Sequence, residues 1–258
     1  MRTGTLAYDR DTKMGGVKGS FPTTHWSQLA EVRDTPTREH REVLNSLITR
    51  YWKPTYCYVR RHGYGNEDAK DLVQEFFTSW LAKDLFARAD RERGRFKAYL
   101  LSSLDNFLAN ARRAAHAQKR RPPHGFVSIH KLATDDVSFI EPAQRDTPEM
   151  AFGRAWATEL VLRVLKLLEE ECSATGKTAH FDLFRQRVIE PALEGTRPPA
   201  LRELAGRLDM TEKQAANRLL TARRAYQRLL RNEIWAHASS EEDVTLEMRE
   251  LFDFLSNR

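Results

Sequence analysis

Apolar residues in this chain recur every three or four positions, and that spacing admits little except helices. Leu44, Leu47, Ile48, Tyr51 and Trp52 form one such stripe, the i, i+3, i+4, i+7, i+8 pattern of a helix with one buried face. Alternation sustained over a strand's length is absent, and β-branched residues do not form runs. The expected fold class is therefore all-α. A chain of 258 residues has room for one large or two small domains, and an apolar content of 41% supplies material for packed cores.

Turn and cap residues divide this helical pattern. Residues 1–37 read as a partly disordered N-terminal extension in which Phe21, Trp26 and Leu29 suggest a short helix. A first long helix is expected from Thr37 to Arg61, with Pro54 kinking or dividing it. His62-Gly63-Tyr64-Gly65 ends it. Asn66 is placed as the cap of a second helix, with Glu67 and Asp68 at its positive end. That helix carries Ala69, Leu72, Val73, Phe76, Phe77, Trp80 and Leu81. A basic stretch, Arg88 to Arg95, precedes a third helix from Phe96 to about Lys119. Pro122, Pro123, Pro142 and Pro148 mark residues 122–148 as a flexible linker. Thr147-Pro148-Glu149 has the residues of a helix start. Leu160, Val161, Val164, Leu165 and Leu168 continue that helix. Phe181, Phe184 and Val188 suggest another, stopping at Pro191. The expected layout is two helical domains, 38–121 and 149–232, followed by an acidic helical extension, 233–258.

Charge narrows the partners. The formal net charge is +6, but residues 233–258 hold seven acids and two bases, so residues 1–232 carry +11. Such a body favours an anionic partner, nucleic acid or a membrane surface. No apolar run approaches the roughly 18 residues of a membrane span, and the polar first twenty residues lack a secretory signal's apolar core. A cytoplasmic protein is expected. Cys57 and Cys172 sit in apolar helical patterns and read as small buried hydrophobes in a reducing compartment. The eight histidines show no metal-ligand spacing. No catalytic residue, metal or cofactor is expected.

The most informative segment is Ala200 to Arg231. Leu201, Leu204, Ala205 and Leu208 give a short amphipathic helix, Asp209-Met210 a turn with Met210 as its plug, and Thr211 with Gln214 a capping box. Ala215, Leu219, Ala222, Tyr226 and Leu229 then line the buried side of a second helix. Two helices joined by so tight a turn make a helix-turn-helix, whose second helix enters the major groove. The face left over holds Lys213, Gln214, Asn217, Arg218, Leu220, Thr221 and Arg224. Amides, hydroxyls and guanidinium groups are what read base edges and hold phosphates.

Three segments together resemble the sigma-70 family of RNA polymerase sigma factors, of the extracytoplasmic-function type. Glu203-Leu204-Ala205, Leu208, Met210, Thr211 and Asn217 to Arg223 resemble its region four. Glu67-Asp68-Ala69-Lys70-Asp71-Leu72-Val73-Gln74-Glu75-Phe76-Phe77 resembles region two, and Phe96-Lys97-Ala98-Tyr99-Leu100 through Asn106 to Arg113 resembles the stretch that captures a flipped minus-ten base. The resemblance implies core RNA polymerase and promoter DNA as partners, with an anti-sigma factor or other regulator in addition. It implies core-polymerase binding by Asp71, Leu72, Gln74, Glu75 and Phe76, although the apolar period turns Leu72, Val73, Phe76 and Trp80 inward. It implies minus-ten contacts by Arg93, Arg95, Lys97, Tyr99, Asn106, Arg112 and Arg113. Minus-35 contacts would fall to the seven residues of the second helix's open face. Asp209 stands where the family usually has Gly, Lys213-Gln214-Ala215 replaces Gly-Thr-Val, and Ala216 and Thr221 stand where many members carry bases.

By themselves the residues leave two other readings open. One is a helix-turn-helix regulator that acts without polymerase. The other is an enzyme built on the acids Glu67, Asp68, Asp71 and Glu75. Leu246, Met248, Leu251, Phe252, Phe254 and Leu255 make the tail an amphipathic helix. It is expected either to fold back on the helix-turn-helix, to bind a regulator, or to cap the last domain.

Overall fold

The computed structural model describes residues 38–82, 96–118, 146–236, 238 and 240–256. All regular structure among them is helical, as the apolar period requires. The expected N-terminal extension and the linker up to residue 145 lie outside the described residues, as do Arg93 and Arg95. No described helix is long and apolar enough to cross a membrane.

The chain forms two units. The first contains helices α1 (Arg38–Arg61), α2 (Asn66–Ala82) and α3 (Phe96–Gln118), together with the beginning of α4 (Pro148–Ala174), up to Glu159. It also contains everything from Ile234 onward. Its core is aromatic. Phe76 lies 5.2 Å from Phe77, 5.2 Å from Trp80 and 5.5 Å from Phe107, ring centroid to centroid, while Tyr51 packs at 4.9 Å on Phe96. Edge-to-face and tilted pairs of this kind add to the burial of large apolar area.

Pro54 does not divide α1, which is one span. Its ring removes one backbone donor, but Tyr51 on one side and Thr55, Tyr56 and Cys57 on the other are all buried. Tertiary packing holds the helix across the gap. Asn66 is not the cap of α2 either. Gly65 offers its carbonyl to Ala69 N–H as the first helical bond, and the Asn66 side-chain oxygen accepts from the Tyr56 hydroxyl at 2.8 Å instead.

The packing boundary falls inside α4, eleven residues beyond the expected end of the linker. Thr147 caps the helix through Met150 N–H at 3.2 Å. Asp146 is buried: Arg154 Nη1 donates to both its carboxylate oxygens at 2.7 and 3.0 Å, and Arg61 Nε donates to its carbonyl at 2.6 Å. Lys53 reaches Glu159 at 2.6 Å. Phe152 and Trp156 are buried, and two aromatic side chains of that size explain why the first turns of α4 belong to this core.

The second unit holds residues 160–233. After α4 come α5 (Thr178–Phe184), a π turn (Arg185–Ile189) and α6 (Glu190–Glu194). Pro191 was the expected stop, yet the helical path runs on to Gly195, whose φ of 66° ends it. Proline has no N–H for the carbonyl of Arg187. The chain widens there, and Glu190 N–H bonds Arg185 C=O five residues back. Helices α7 (Leu201–Arg207) and α8 (Glu212–Trp235) complete the unit. Leu168, Cys172, Phe184, Leu219, Ala222 and Ala225 form one core cluster, and Leu183, Leu204, Ala205 and Ala215 another.

Both cysteines are buried and unpaired with each other. Burial pushes each thiol up to about 11, so both stay neutral and unreactive at physiological pH.

Candidate nucleic-acid interface

The turn between α7 and α8 is closed by one left-handed residue. Asp209 has φ 49°, a region few residues other than Gly tolerate and Asp is one of them. Met210 N–H then bonds Ala205 C=O at 3.0 Å, and the half-buried Met210 side chain packs against the Leu204 and Ala215 cluster. The capping box is complete: Gln214 N–H donates to Thr211 Oγ1 at 3.2 Å, and Thr211 N–H donates to Gln214 Oε1 at 2.9 Å.

This start fixes which side of α8 is open. Ala215, Leu219, Ala222 and Ala225 are buried, with the Tyr226 ring tilted against Phe184 at 5.0 Å; burial pushes its hydroxyl up to about 12. Arg228 is tied to Glu171 at 2.6 and 2.7 Å. On the opposite side Lys213, Gln214, Asn217, Leu220 and Arg224 are exposed, Leu220 at 47%, and Arg218 is half-buried with Nη1 3.9 Å from Met210 Sδ.

Thr221 does not belong to that face. It is only 6% exposed, and its hydroxyl donates to Asn217 C=O at 2.9 Å, the back-bond that β-hydroxyl residues make inside helices. Thr221→Val should therefore leave duplex affinity within about twofold, since the hydroxyl has no outward reach; fluorescence anisotropy on duplex DNA measures it. Arg223 and Gln227, not expected as contacts, are exposed beside Arg224. The helical steps from Ala216 and Leu220 to Arg223 and Gln227 carry the signal that finds them.

In the first unit, α2 presents Asp71 and Glu75 to solvent, with Gln74 and Leu72 half-buried. Phe76 is at 0% exposure. It can support this face only from beneath, so its place among the contact residues is corrected to the core, as the apolar period of α2 requires.

Along α3, Phe96, Leu100, Leu104 and Leu108 are buried. On another side Tyr99, Asn106, Asn110 and Arg113 form an i, i+7, i+11, i+14 stripe. Asn106, Asn110, Arg112 and Arg113 are exposed, while Tyr99 is half-buried 5.3 Å from Trp80. Lys97 is turned away from that stripe. Its ammonium lies 2.6 Å from Glu247, 2.7 Å from Glu250 and 3.7 Å above the ring of Trp156. It was expected as a phosphate contact; the structure occupies it inside the fold, through carboxylates at least 150 residues away that no local pattern pairs with it. Below the stripe, Tyr58 donates its hydroxyl to Asp105 at 2.7 Å, and burial, reinforced by that bond, holds the phenol above its usual range.

The remaining helix, α9 (Glu241–Ser256), packs in the first unit. The acidic tail thus belongs to the first unit and not to the one that holds the helix-turn-helix. Comparison of the chain with family models, with characterised proteins and with solved structures finds no match.

Proposed function

We propose that this chain is a sigma factor of the extracytoplasmic-function type, a cytoplasmic protein that joins core RNA polymerase and directs it to promoters. It performs no chemistry. It acts by binding: α2 holds the polymerase, the Asn106 stripe traps unpaired bases of the minus-ten element, and α8 docks in the upstream duplex. Stacking and edge contacts to unpaired bases are worth about 1–3 kcal/mol each, the scale needed to help hold a few base pairs open.

The observation that carries this reading is the face of α2. Asp71 and Glu75 are exposed over a fully buried aromatic core, beside Gln74 and in the stretch that resembles the family's polymerase-binding segment. A regulator that needed only duplex DNA would have no use for it. The exposed amide and basic side chains of α8 support the DNA-binding half of the reading, and equally the alternative of a helix-turn-helix regulator working without polymerase.

One experiment separates the two. Asp71→Ala with Gln74→Ala should weaken association with core polymerase roughly tenfold or more, the scale of a central interface contact, and leave duplex binding by α8 unchanged. Co-sedimentation with core enzyme and anisotropy on duplex DNA measure the two halves. Normal holoenzyme formation by the double variant, or no assembly by the wild-type chain, would overturn the proposal.

A further inference from the structure

We infer that Leu220 is a thymine reader: the apolar centre of the open face of α8 meets the C5 methyl group of a thymine in the major groove, so that the upstream site holds a thymine at the base pair this side chain faces. The inference rests on the DNA-binding half of the functional reading above and names the base-edge chemistry of that same helix.

The rotation of α8 sets the argument. Its buried side is fixed by Ala215, Leu219, Ala222 and Ala225, and successive residues turn by about 100° around the axis. On that count Leu220 falls at the middle of the exposed arc. Ala216 and Gln227 flank it on one side with Arg223 beyond them, and Lys213, Arg224 and Asn217 flank it on the other; all are exposed. Whatever receives this face of α8 meets Leu220 at its centre.

The side chain is no part of the core. It is 47% exposed, and neither it nor Ala216, one turn earlier, belongs to either core cluster of the second unit among the described residues. A single exposed leucine needs no special reason on most surfaces. Here its surroundings supply one. Its helical neighbours at i−4, i−3, i+3 and i+4 are Ala216, Asn217, Arg223 and Arg224, so hydrocarbon runs along the middle with an amide and cations at the edges. A helix lying in the major groove turns its central row to the base edges and its flanks to the phosphates on either side. Cations suit the phosphates. Among the four bases only thymine offers an apolar group on the groove floor, its C5 methyl. Over a G·C pair, Leu220 would cover the cytosine amino group or guanine O6 and give neither a partner, which costs their desolvation. Thr221 does not take its place, since it is turned inward and bonded to Asn217 C=O at 2.9 Å. Ala216 and Leu220 stand about 6 Å apart along the axis. With about 3.4 Å per base step, the apolar row spans no more than two successive base pairs.

The full-length chain is first used to select duplexes from a random library. In a selected duplex each thymine is then replaced in turn by deoxyuridine, which removes the C5 methyl and keeps both O4 and the pairing. Anisotropy competition compares wild type with Leu220→Ala and Lys213→Ala. Leu220 is exposed and alanine is a good helix former, so the first variant keeps α8 intact. At one thymine, or at two adjacent ones, wild type should lose affinity about fourfold, the effect of one buried methyl group, while Leu220→Ala binds both duplexes equally. Lys213→Ala should bind both more weakly and keep the wild-type ratio. At the same base pair, 5-methylcytosine opposite guanine should bind wild type about fourfold more tightly than cytosine does, and Leu220→Ala should not distinguish them. A selected site with no methyl-sensitive thymine, or a methyl effect that survives in Leu220→Ala, overturns the inference and leaves duplex binding standing. Selection that enriches no duplex defeats the DNA-binding reading itself, and the inference with it.

Discussion

Phe76→Ala should destabilise the first unit by roughly 3–5 kcal/mol, the range for truncating a large buried aromatic whose site cannot collapse. Phe76 is at 0% exposure with three aromatic neighbours within 5.5 Å, and two of those neighbours are themselves buried. A domain of this size has about 5–15 kcal/mol in total, so the loss approaches the limit of folding. Urea denaturation followed by tryptophan fluorescence should show a fall in midpoint with little change in slope. Polymerase binding would fall in proportion to the unfolded fraction, and recover at lower temperature or with a stabilising osmolyte. A loss that persists in fully folded Phe76→Ala would instead restore Phe76 to the contact face.

The second large effect concerns α8. Replacing Lys213, Arg223 and Arg224 together by Ala removes three exposed cations from one side of the helix without touching its core or its cap. For every phosphate that the protein no longer neutralises, the slope of log affinity against log salt should become shallower by about 0.9. Three such phosphates would make it shallower by about 2.7 on the same scale, with affinity falling nearly equally on all duplex sequences. Anisotropy titrations across a salt series measure both. An unchanged slope would mean that these side chains point into water in the complex and that another surface meets the duplex.

How far the residues announce this arrangement depends on the range over which each interaction acts. The all-α class, the aromatic stripe of α2, the Thr147 cap and the Thr211–Gln214 box are local, set by neighbours within four positions, and the spacing reveals them. Pro54 and Pro191 mislead for the converse reason: their intrinsic preference is to break helices, while buried neighbours in one case and a widened turn in the other override it. Thr221 sits between Leu220 and Ala222, at the edge of the buried stripe, where composition marks it as polar but only packing shows which way it turns. Lys97 belongs to a basic stretch in sequence and to an acidic helix in space. That pairing joins α3 to the last helix of the described chain, at least 150 residues away, and no period or motif encodes it. The same separation hides the return of the chain to its first unit. The Pro-rich segment invites a boundary near residue 148, but Phe152 and Trp156 carry the first core onward into α4.

The capping box has one further chemical consequence. Thr211 N–H and the Thr211 hydroxyl both donate to the Gln214 carbonyl oxygen, at 2.9 and 3.0 Å, and so take both of its lone pairs; the side chain offers only its NH2. An amide that reads adenine needs its acceptor and its donor together, one for N6 and one for N7. Gln214 has only donors to give. Wherever α8 lies in a groove, this position can favour guanine N7 or O6, thymine O4 or a phosphate oxygen, and it cannot grip adenine with both hands unless the helix first gives up its cap.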